Sequence, residues 1–269
     1  MTARHLAILL GPYRNLSTLT SAVLSLHPDI QVLNHAGERL WTDPHLDFLA
    51  HPEPAILASF MDAAWSLSVG GERGVVGGSI LYSHAYDDPS MKALYSGPYG
   101  DETVKAGADW LVWKESMRVQ NRLMDTPGLF EALCASFPDL RFILPLRNAL
   151  HCAISNQTTG HSPTLRLPAN ASVSKVLDAV LQAFEWALDK REKFPDRVFA
   201  FTQDTPPARL LPDLARFLGV SQDERWIEEG AKAFAVRDRY NIPPVLAAMA
   251  REQVVSRLSR WPDIAAALS

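Results

Sequence analysis

Short apolar runs alternate with amphipathic stretches toward both ends of this chain, and the alternation predicts strands separated by helices. The predicted strands cover residues 6–10, 31–34, 75–82, 110–113, 141–146 and 198–201. The first strand, a glycine-containing turn, a helix and the second strand follow within about thirty residues, which is the length of a βαβ unit. The pattern therefore predicts a central parallel sheet covered by helices on both faces, a three-layer α/β/α fold.

Helices are predicted where apolar residues recur at helical spacing and where Pro or Gly marks an end. Residues 173–193 carry the clearest apolar stripe, and Gly219 ends a helix that begins at Pro207. The predicted helices cover residues 17–26, 54–67, 127–136, 173–193, 207–218 and 243–258, with another beginning near residue 149. Residues 84–101, rich in Tyr, Asp, Pro and Gly, are predicted as a surface loop.

The composition narrows the functional classes. The chain has 269 residues, of which 26 are Lys or Arg and 30 are Asp or Glu, for a net charge of −4. A mildly acidic chain lacks the cationic footprint of a general nucleic-acid binder, and two cysteines cannot build a disulfide framework. No Cys/His spacing predicts a metal site, and the apolar run at residues 6–10 is too short for a signal peptide or a membrane span. We expect a cytoplasmic protein with one domain over residues 1–269.

The turn after the first predicted strand is a candidate anion site. Where parallel strands end, helix N-termini present free N–H groups. The turn from Gly11 to Leu19 adds the guanidinium of Arg14 and the hydroxyls of Ser17 and Thr18. It lacks the second glycine followed by Lys-Ser/Thr of a Walker A loop, which disfavours a P-loop kinase. The alternative interpretation is a plain strand-to-helix turn with Ser17 as N-cap and Arg14 in solvent.

A second candidate anion site follows the strand at residues 141–146. Arg147 stands at the end of that strand, and Ser155 follows eight residues later on the next helix. A guanidinium and a hydroxyl placed in this way can converge on one anion. The alternative interpretation is a strand-end arginine and an unrelated helix serine.

Taken in order, these segments resemble the sulfotransferase family, whose donor is 3′-phosphoadenosine 5′-phosphosulfate (PAPS). Residues 14–18, Arg-Asn-Leu-Ser-Thr, fall where the family has Arg/Lys-Ser-Gly-Thr-Thr/Ser, and Arg147 and Ser155 keep the spacing of its second site. Lys114-Glu115-Ser116 resembles the family's Lys-Ser/Thr-Pro. The runs HPDIQVLNH, FPDLRFILPLRN and FAFTQDTPPARLLPDLARFLGV are similar to three further family segments. Several weak motifs in the family's order are more specific than any one alone.

The sequence departs from the family pattern at four places. Leu16 replaces the loop glycine, Gln203 replaces a glutamate, and the proline two residues after Lys114 is missing. His35 falls where a glutamate often ends the second strand. Residues 40–107 match only loosely, and we interpret them as a variable acceptor-side insert.

The resemblance implies a P-loop nucleoside-triphosphate-hydrolase-like sulfotransferase fold and transfer of a sulfuryl group from PAPS, which leaves 3′,5′-bisphosphoadenosine (PAP). A hydroxyl acceptor on a small molecule, glycan or lipid is favoured over an amine, and no metal is expected. Arg14 would neutralise charge on the leaving oxygen, and the loop would hold the 5′-phosphate. The donor-binding residues implied by the resemblance are Arg14, Asn15, Leu16, Ser17, Thr18, Leu19, Lys114, Arg147 and Ser155.

An acceptor hydroxyl needs a general base, and His35 is the first candidate because an imidazole titrates near neutrality. Glu38 is the second candidate, and His84 and His45 rank below it. The alternative interpretation of His35 is a plain strand-end residue. Arg237 and Arg239 are additional candidates for the 3′-phosphate, with a solvated turn as the alternative.

Two other functions remain open from the sequence alone. Leu16 and Gln203 are also consistent with a catalytically inactive nucleotide-binding or scaffold protein on the same fold. A P-loop small-molecule kinase is the other alternative, and the missing loop lysine argues against it. The acceptor and the oligomeric state have no signal in the sequence.

Overall fold

A central sheet organises the chain in the computed structural model, which describes residues 4–73, 77–105, 107–236 and 240–269. The strands of this sheet are β1 (His5–Leu9), β2 (Ile30–Asn34), β3 (Gly78–Ser79), β4 (Trp110–Lys114), β5 (Arg141–Leu146) and β6 (Val198–Thr202). Their order across the sheet is β3-β2-β4-β1-β5-β6. Every neighbouring pair is parallel except β2 and β3. The predicted parallel sheet is confirmed, with one antiparallel edge strand.

Helices cover both faces of the sheet. Within the described residues they are α1 (Ser17–Leu24), α2 (Gly37–Leu40), α3 (Pro54–Ser68), α4 (Pro89–Tyr99), α5 (Met117–Asp125), α6 (Leu129–Ser136), α7 (Ala149–Thr158), α8 (Val173–Lys193), α9 (Pro207–Leu218), α10 (Glu224–Ala233), α11 (Pro244–Arg257) and α12 (Pro262–Leu268). Short 3₁₀ turns lie at Ile80–Tyr82, His84–Asp87 and Ser162–Leu165. None of the helices in the described ranges has the length and apolarity needed to cross a bilayer.

Side-chain alternation along the strands builds two apolar layers. Leu6 and Ile8 of β1 pack with α3, α5, α6, α7 and α8 on one face, whereas Ala7 and Leu9 pack with α1, α4, α9 and α10 on the other. The stripe predicted for residues 173–193 is the buried face of α8, and Phe184 in its centre is fully buried. Both faces of the sheet are therefore buried under helices, as the continuous apolar strands predict.

The prediction of a surface loop over residues 84–101 is wrong, because α4 occupies most of that segment. The Asp88 carboxylate caps this helix by accepting from the N–H of Ser90 at 2.9 Å, and Pro89 stands in its first turn. Met91 and Tyr95, one turn apart, are its buried positions. The cap and the proline are helix-start signals that the high turn-residue content of the segment masked.

The strand predicted over residues 75–82 is also wrong in extent. Only Gly78 and Ser79 pair with β2, and the chain then enters the 3₁₀ turn at Ile80–Tyr82. Gly77, directly before β3, has a φ of 92°, a left-handed conformation that is incompatible with a strand and favours glycine. Residues 75 and 76 lie outside the described residues.

The topology brings the ends of four strands together. β2, β4, β1 and β5 are consecutive neighbours in the sheet and run in the same direction. The segments that follow them therefore meet at one edge, where α/β proteins bind ligands. His35, the loop at residues 11–16, Lys114 and Arg147 all lie at this edge.

Candidate functional site

The loop after β1 begins with a close approach that only glycine allows. Gly11 has a φ of 100°, and a Cβ there would lie 2.5 Å from Nδ2 of Asn15. Its N–H donates to Oε1 of Gln120 at 2.7 Å. The first residue of the loop is thus held to α5.

Asn15 ties this loop to the end of β5. Its side chain is fully buried, and Oδ1 accepts a hydrogen bond of 2.9 Å from the backbone N–H of Arg147. Its Nδ2 donates to the carbonyl of Pro145. The side chain of Asn15 therefore joins the two predicted anion sites, a role that the sequence analysis, which counted this residue only as part of the loop, missed.

The turn into α1 contains two left-handed residues. Arg14 has a φ of 64° and Leu16 a φ of 63°. Leu16 is the N-cap of α1, and no side chain caps this helix, so the alternative of Ser17 as N-cap is wrong. Leu16 thus adopts a left-handed conformation, which favours glycine. The first N–H groups of α1 are left available to an anion.

The two candidate anion sites are contiguous. Nε of Arg14 donates to Oγ of Ser155 at 2.8 Å, which contradicts the alternative of a solvated Arg14. A terminal nitrogen of Arg147 lies 3.5 Å from the carbonyl of Arg14, and its guanidinium carbon is 5.8 Å from the ring centroid of Tyr240. Nε of Arg147 is buried and has no hydrogen-bond partner within the described ranges. A buried donor without a partner is the expected state of a ligand-binding group whose ligand is absent.

Gln203, a departure from the family pattern, contacts the residues next to Arg147 in the second candidate anion site. Its Oε1 accepts from the N–H of Asn148 at 3.1 Å, and its own N–H donates to the carbonyl of Leu146. Asn148 caps α7 by accepting from the N–H of His151 at 3.0 Å. Gln203 thus fixes the residues on both sides of Arg147.

His35 lies between a cation and an anion. Its Nε2 is 2.9 Å from Nζ of Lys114, and its Nδ1 is 3.7 Å from Oε1 of Glu115. The other carboxylate oxygen of Glu115 accepts from the N–H of Gly37 at 2.9 Å. His35 and Ala36 both have left-handed backbones, with φ of 64° and 76°, which turns the imidazole toward the end of β4.

Burial shifts the pKa values of this group. The pKa of His35 lies below its ordinary value, first because the ring is desolvated and second because of the charge of Lys114, while Glu115 opposes the shift. Desolvation also lowers the pKa of Lys114 to about 8. At neutral pH the imidazole is therefore neutral and Lys114 is charged. Strongly shifted groups at the end of a parallel sheet are typical of functional sites.

Glu38, the second candidate base, is placed differently. Its carboxylate pairs with a terminal nitrogen of Arg118 at 2.8 Å, and the side chain is 69% exposed. The same nitrogen of Arg118 is 3.7 Å from Oε1 of Glu115. The structure therefore brings His35, rather than Glu38, into contact with Lys114.

Tyr13, which the sequence analysis did not select, contacts His35. The ring of Tyr13 makes edge contacts with His35 and with His161, at centroid distances of 6.0 and 5.2 Å. Burial and the charge of Arg14 lower the pKa values of both His161 and His84. The position of Tyr13 beside Arg14 was the available signal for this group.

Other candidates lie outside the group. His45 is exposed, and Arg237 and Arg239 lie outside the described residues. Cys134 and Cys152 are buried and unpaired. No cluster of three metal-ligating side chains occurs among the described residues.

Comparisons with known proteins support this architecture. No protein-family model matches the sequence, and no curated protein matches it. Sulfotransferase STF9 from Mycobacterium avium is similar in structure, with a TM-score of 0.51 and 14% identity over 97% of this chain and 78% of that chain. The chain has the sulfotransferase fold. Mouse sulfotransferase SULT7A1 complexed with PAP also has a TM-score of 0.51, at 9% identity, and covers 99% of this chain and 87% of that chain. At these identities the sulfotransferase similarity concerns the fold, and the expected fold class is confirmed.

Proposed function

We propose that this protein is a sulfotransferase that moves a sulfuryl group from PAPS to an acceptor hydroxyl. The observation that carries the proposal is the junction of two anion sites, in which Arg14 and Ser155 are hydrogen-bonded beside the buried, unpartnered Nε of Arg147. A donor with a phosphate at the 3′ position and a phosphosulfate at the 5′ position needs two such sites on one ligand. The mouse neighbour, a sulfotransferase of the same fold, is complexed with PAP.

In the proposed complex, the N–H groups from Arg14 through Leu19, with the hydroxyls of Ser17 and Thr18, bind the 5′-phosphate. Arg147 and Ser155 bind the 3′-phosphate through a guanidinium and a hydroxyl donor. PAPS would supply the sulfuryl group. The leaving group, PAP, would keep the electron pair of the broken S–O bond. Lys114 and Arg14 stabilise the negative charge that develops on that oxygen.

His35 is the proposed general base. As the acceptor oxygen bonds to sulfur, the O–H proton moves to the lone pair of a ring nitrogen, and the histidine later returns it to solvent. The low pKa of His35 keeps the ring neutral and able to accept a proton near pH 7. We further propose that residues 40–107, which lead from His35 to β4, form the acceptor side of the site.

The experiment is conversion of PAPS to PAP, followed by mass spectrometry, with a panel of phenols, aliphatic alcohols and amines. The proposal predicts sulfated product with at least one hydroxyl compound and none with His35→Ala. Sulfated product only with amines would reject the hydroxyl acceptor. Phosphorylated product with ATP, without any sulfated product, would reject the function.

A nucleotide-binding protein without catalysis is the second candidate. One contact favours it: Nζ of Lys114 lies 2.9 Å from Nε2 of His35 and covers the lone pair that a general base needs. Such a protein binds PAP as tightly as the proposed enzyme but forms no sulfated product with any acceptor. Binding combined with a complete absence of turnover would therefore favour this candidate.

A further inference from the structure

Glu115 has an unusual position for a carboxylate. It follows β4 directly, is fully buried, and its Oε1 has no hydrogen-bond partner within the part of the chain that is described. That oxygen faces Nδ1 of His35 and a terminal nitrogen of Arg118, each at 3.7 Å. A buried carboxylate oxygen without a hydrogen bond is costly, so its orientation toward the imidazole needs an explanation.

The contacts of His35 determine which ring nitrogen carries the proton. Lys114 is charged at neutral pH, and an ammonium group has only donors. With Lys114 protonated, its Nζ donates to Nε2 at 2.9 Å, which assigns the proton of the neutral ring to Nδ1. The N–H at Nδ1 then points toward Glu115, whose carboxylate is an acceptor.

We propose that Glu115 is a positioning residue for His35, whose buried carboxylate holds the ring in the Nδ1–H tautomer and stabilises the imidazolium formed when Nε2 takes the acceptor's proton. The inference rests on the proposed function for its catalytic meaning. The charged or titratable groups that face the ring are Lys114, Glu115, Arg118, Tyr13 and His161. Glu115 is the carboxylate among them, and of the described residues that contact the ring it is the one that favours the charged imidazole.

Lys114 has a second effect in this arrangement. While its ammonium donates to Nε2, the lone pair of that nitrogen is unavailable to an acceptor hydroxyl. An anion bound beside Lys114 attracts its charge and draws the ammonium away from Nε2, because a charge-assisted bond to an anion is stronger than one to a neutral imidazole. Release of Lys114 exposes the lone pair, and Glu115 continues to hold the proton on Nδ1.

The test measures the tautomer of His35 in the unmodified protein by ¹⁵N NMR of the ring nitrogens at pH 7, with His35→Asn to assign the signals. Protonated and unprotonated ring nitrogens have well-separated shifts. The proposal predicts a proton on Nδ1 and an unprotonated Nε2. A proton on Nε2 would overturn the proposal. This measurement needs no substitution at Glu115.

The second measurement follows the pKa of His35 in Glu115→Gln, which keeps the side-chain shape and removes the charge. The pKa of His35 should fall further below that of the unmodified protein. Glu53→Gln, a matched loss of one negative charge at the N-cap of α3, where the side chain makes no capping bond, should leave it unchanged. An unchanged pKa of His35 in folded Glu115→Gln would overturn the proposal.

The tests of Glu115 can fail or succeed independently of the test of the proposed function. In an active enzyme, Glu115→Gln should lower kcat more than it changes KM and move the acid limb of the pH profile to lower pH. If the protein proves inactive, the NMR experiments still decide the tautomer and the effect of Glu115. Conversely, sulfated product together with an Nε2–H tautomer would reject the role of Glu115 and leave the function intact.

Discussion

The side chain of Asn15 accepts a hydrogen bond of 2.9 Å from the backbone N–H of Arg147, across 132 residues of sequence. Its amide nitrogen donates to Pro145 on the same strand end. One buried side chain therefore sets the distance between the loop after β1 and the arginine after β5. The proposed donor contacts both, so its binding depends on this distance.

Asn15→Ala should uncouple the two sites. The N–H of Arg147 and the carbonyl of Pro145 both lose a buried partner, and we expect a loss of about 3 kcal/mol in the free energy of unfolding. Affinity for PAP should fall at least about tenfold. Denaturant unfolding and calorimetry measure the two effects. Asn170→Ala, at an exposed turn, is the control, and equal effects of the two substitutions would contradict the coupling.

The proposed chemistry predicts a bell-shaped pH profile for kcat/KM, which reports the groups of the free enzyme. His35 must be neutral to accept a proton, so activity is lost as pH falls through its pKa, below the ordinary value of 6.5. Lys114 must be charged, so activity is lost as pH rises through about 8. Lys114→Arg should remove the alkaline limb, because a guanidinium stays charged. An alkaline limb near pH 8 in that variant would assign the limb to another group.

Leu16 provides a test of the loop backbone. Its φ of 63° costs a leucine roughly 1 kcal/mol that glycine does not lose. Leu16→Gly should therefore be more stable than Leu16→Ala by about 1 kcal/mol. Both variants lose the packing of the leucine side chain, and the glycine variant also loses Cβ. PAP affinity should differ less than about threefold among the three proteins, because the loop conformation is the same. Thermal unfolding and calorimetry provide the comparison, and a large gain in affinity with glycine would show that the leucine obstructs the site.

Lys105 anchors the C-terminal end of α1, which is the end away from the loop after β1. Its buried ammonium donates to the carbonyls of His27 and Ile30, each at 2.7 Å, and to that of Ser25. Lys105→Met leaves three buried carbonyls without their donor, and we expect about 3 kcal/mol or more of destabilisation. Lys92→Met, on the exposed face of α4, should cost less than about 0.5 kcal/mol. Equal stability of the two variants in urea would contradict this role.

The sequence predicted the five parallel strands, but it did not predict the short extent of β3 or helices such as α4 and α5. Strands such as Arg141–Leu146 are short apolar runs bounded by turn residues, and their length distinguishes them from helices. Helix α5, with the sequence MRVQNRLMD, is largely polar, and no apolar stripe was seen in it. In α4, Pro98 and the flanking glycines favoured a loop, whereas Met91 and Tyr95 pack into the core. Tertiary burial decided both cases, and local sequence does not report it.

The sequence placed the candidate residues at the ends of neighbouring strands but did not predict their contacts. Arg14, Lys114 and Arg147 come together because they lie at the ends of β1, β4 and β5, which are neighbours in the sheet. The contact between His35 and Lys114 spans 79 residues and depends on the left-handed backbone of His35. No local pattern encodes such a pairing, and the role of Glu115 was missed for the same reason.

The most direct test of the account is calorimetric titration with PAP, with ADP and ATP as controls. The proposed function predicts tight binding of PAP and weak binding of ADP and ATP, because Arg147 and Ser155 select the 3′-phosphate. Arg147→Ala should lower PAP affinity by about a hundredfold. Arg191→Ala, an exposed arginine near the end of α8, should leave it unchanged. Preference for ATP, or PAP binding that survives Arg147→Ala, would contradict the account.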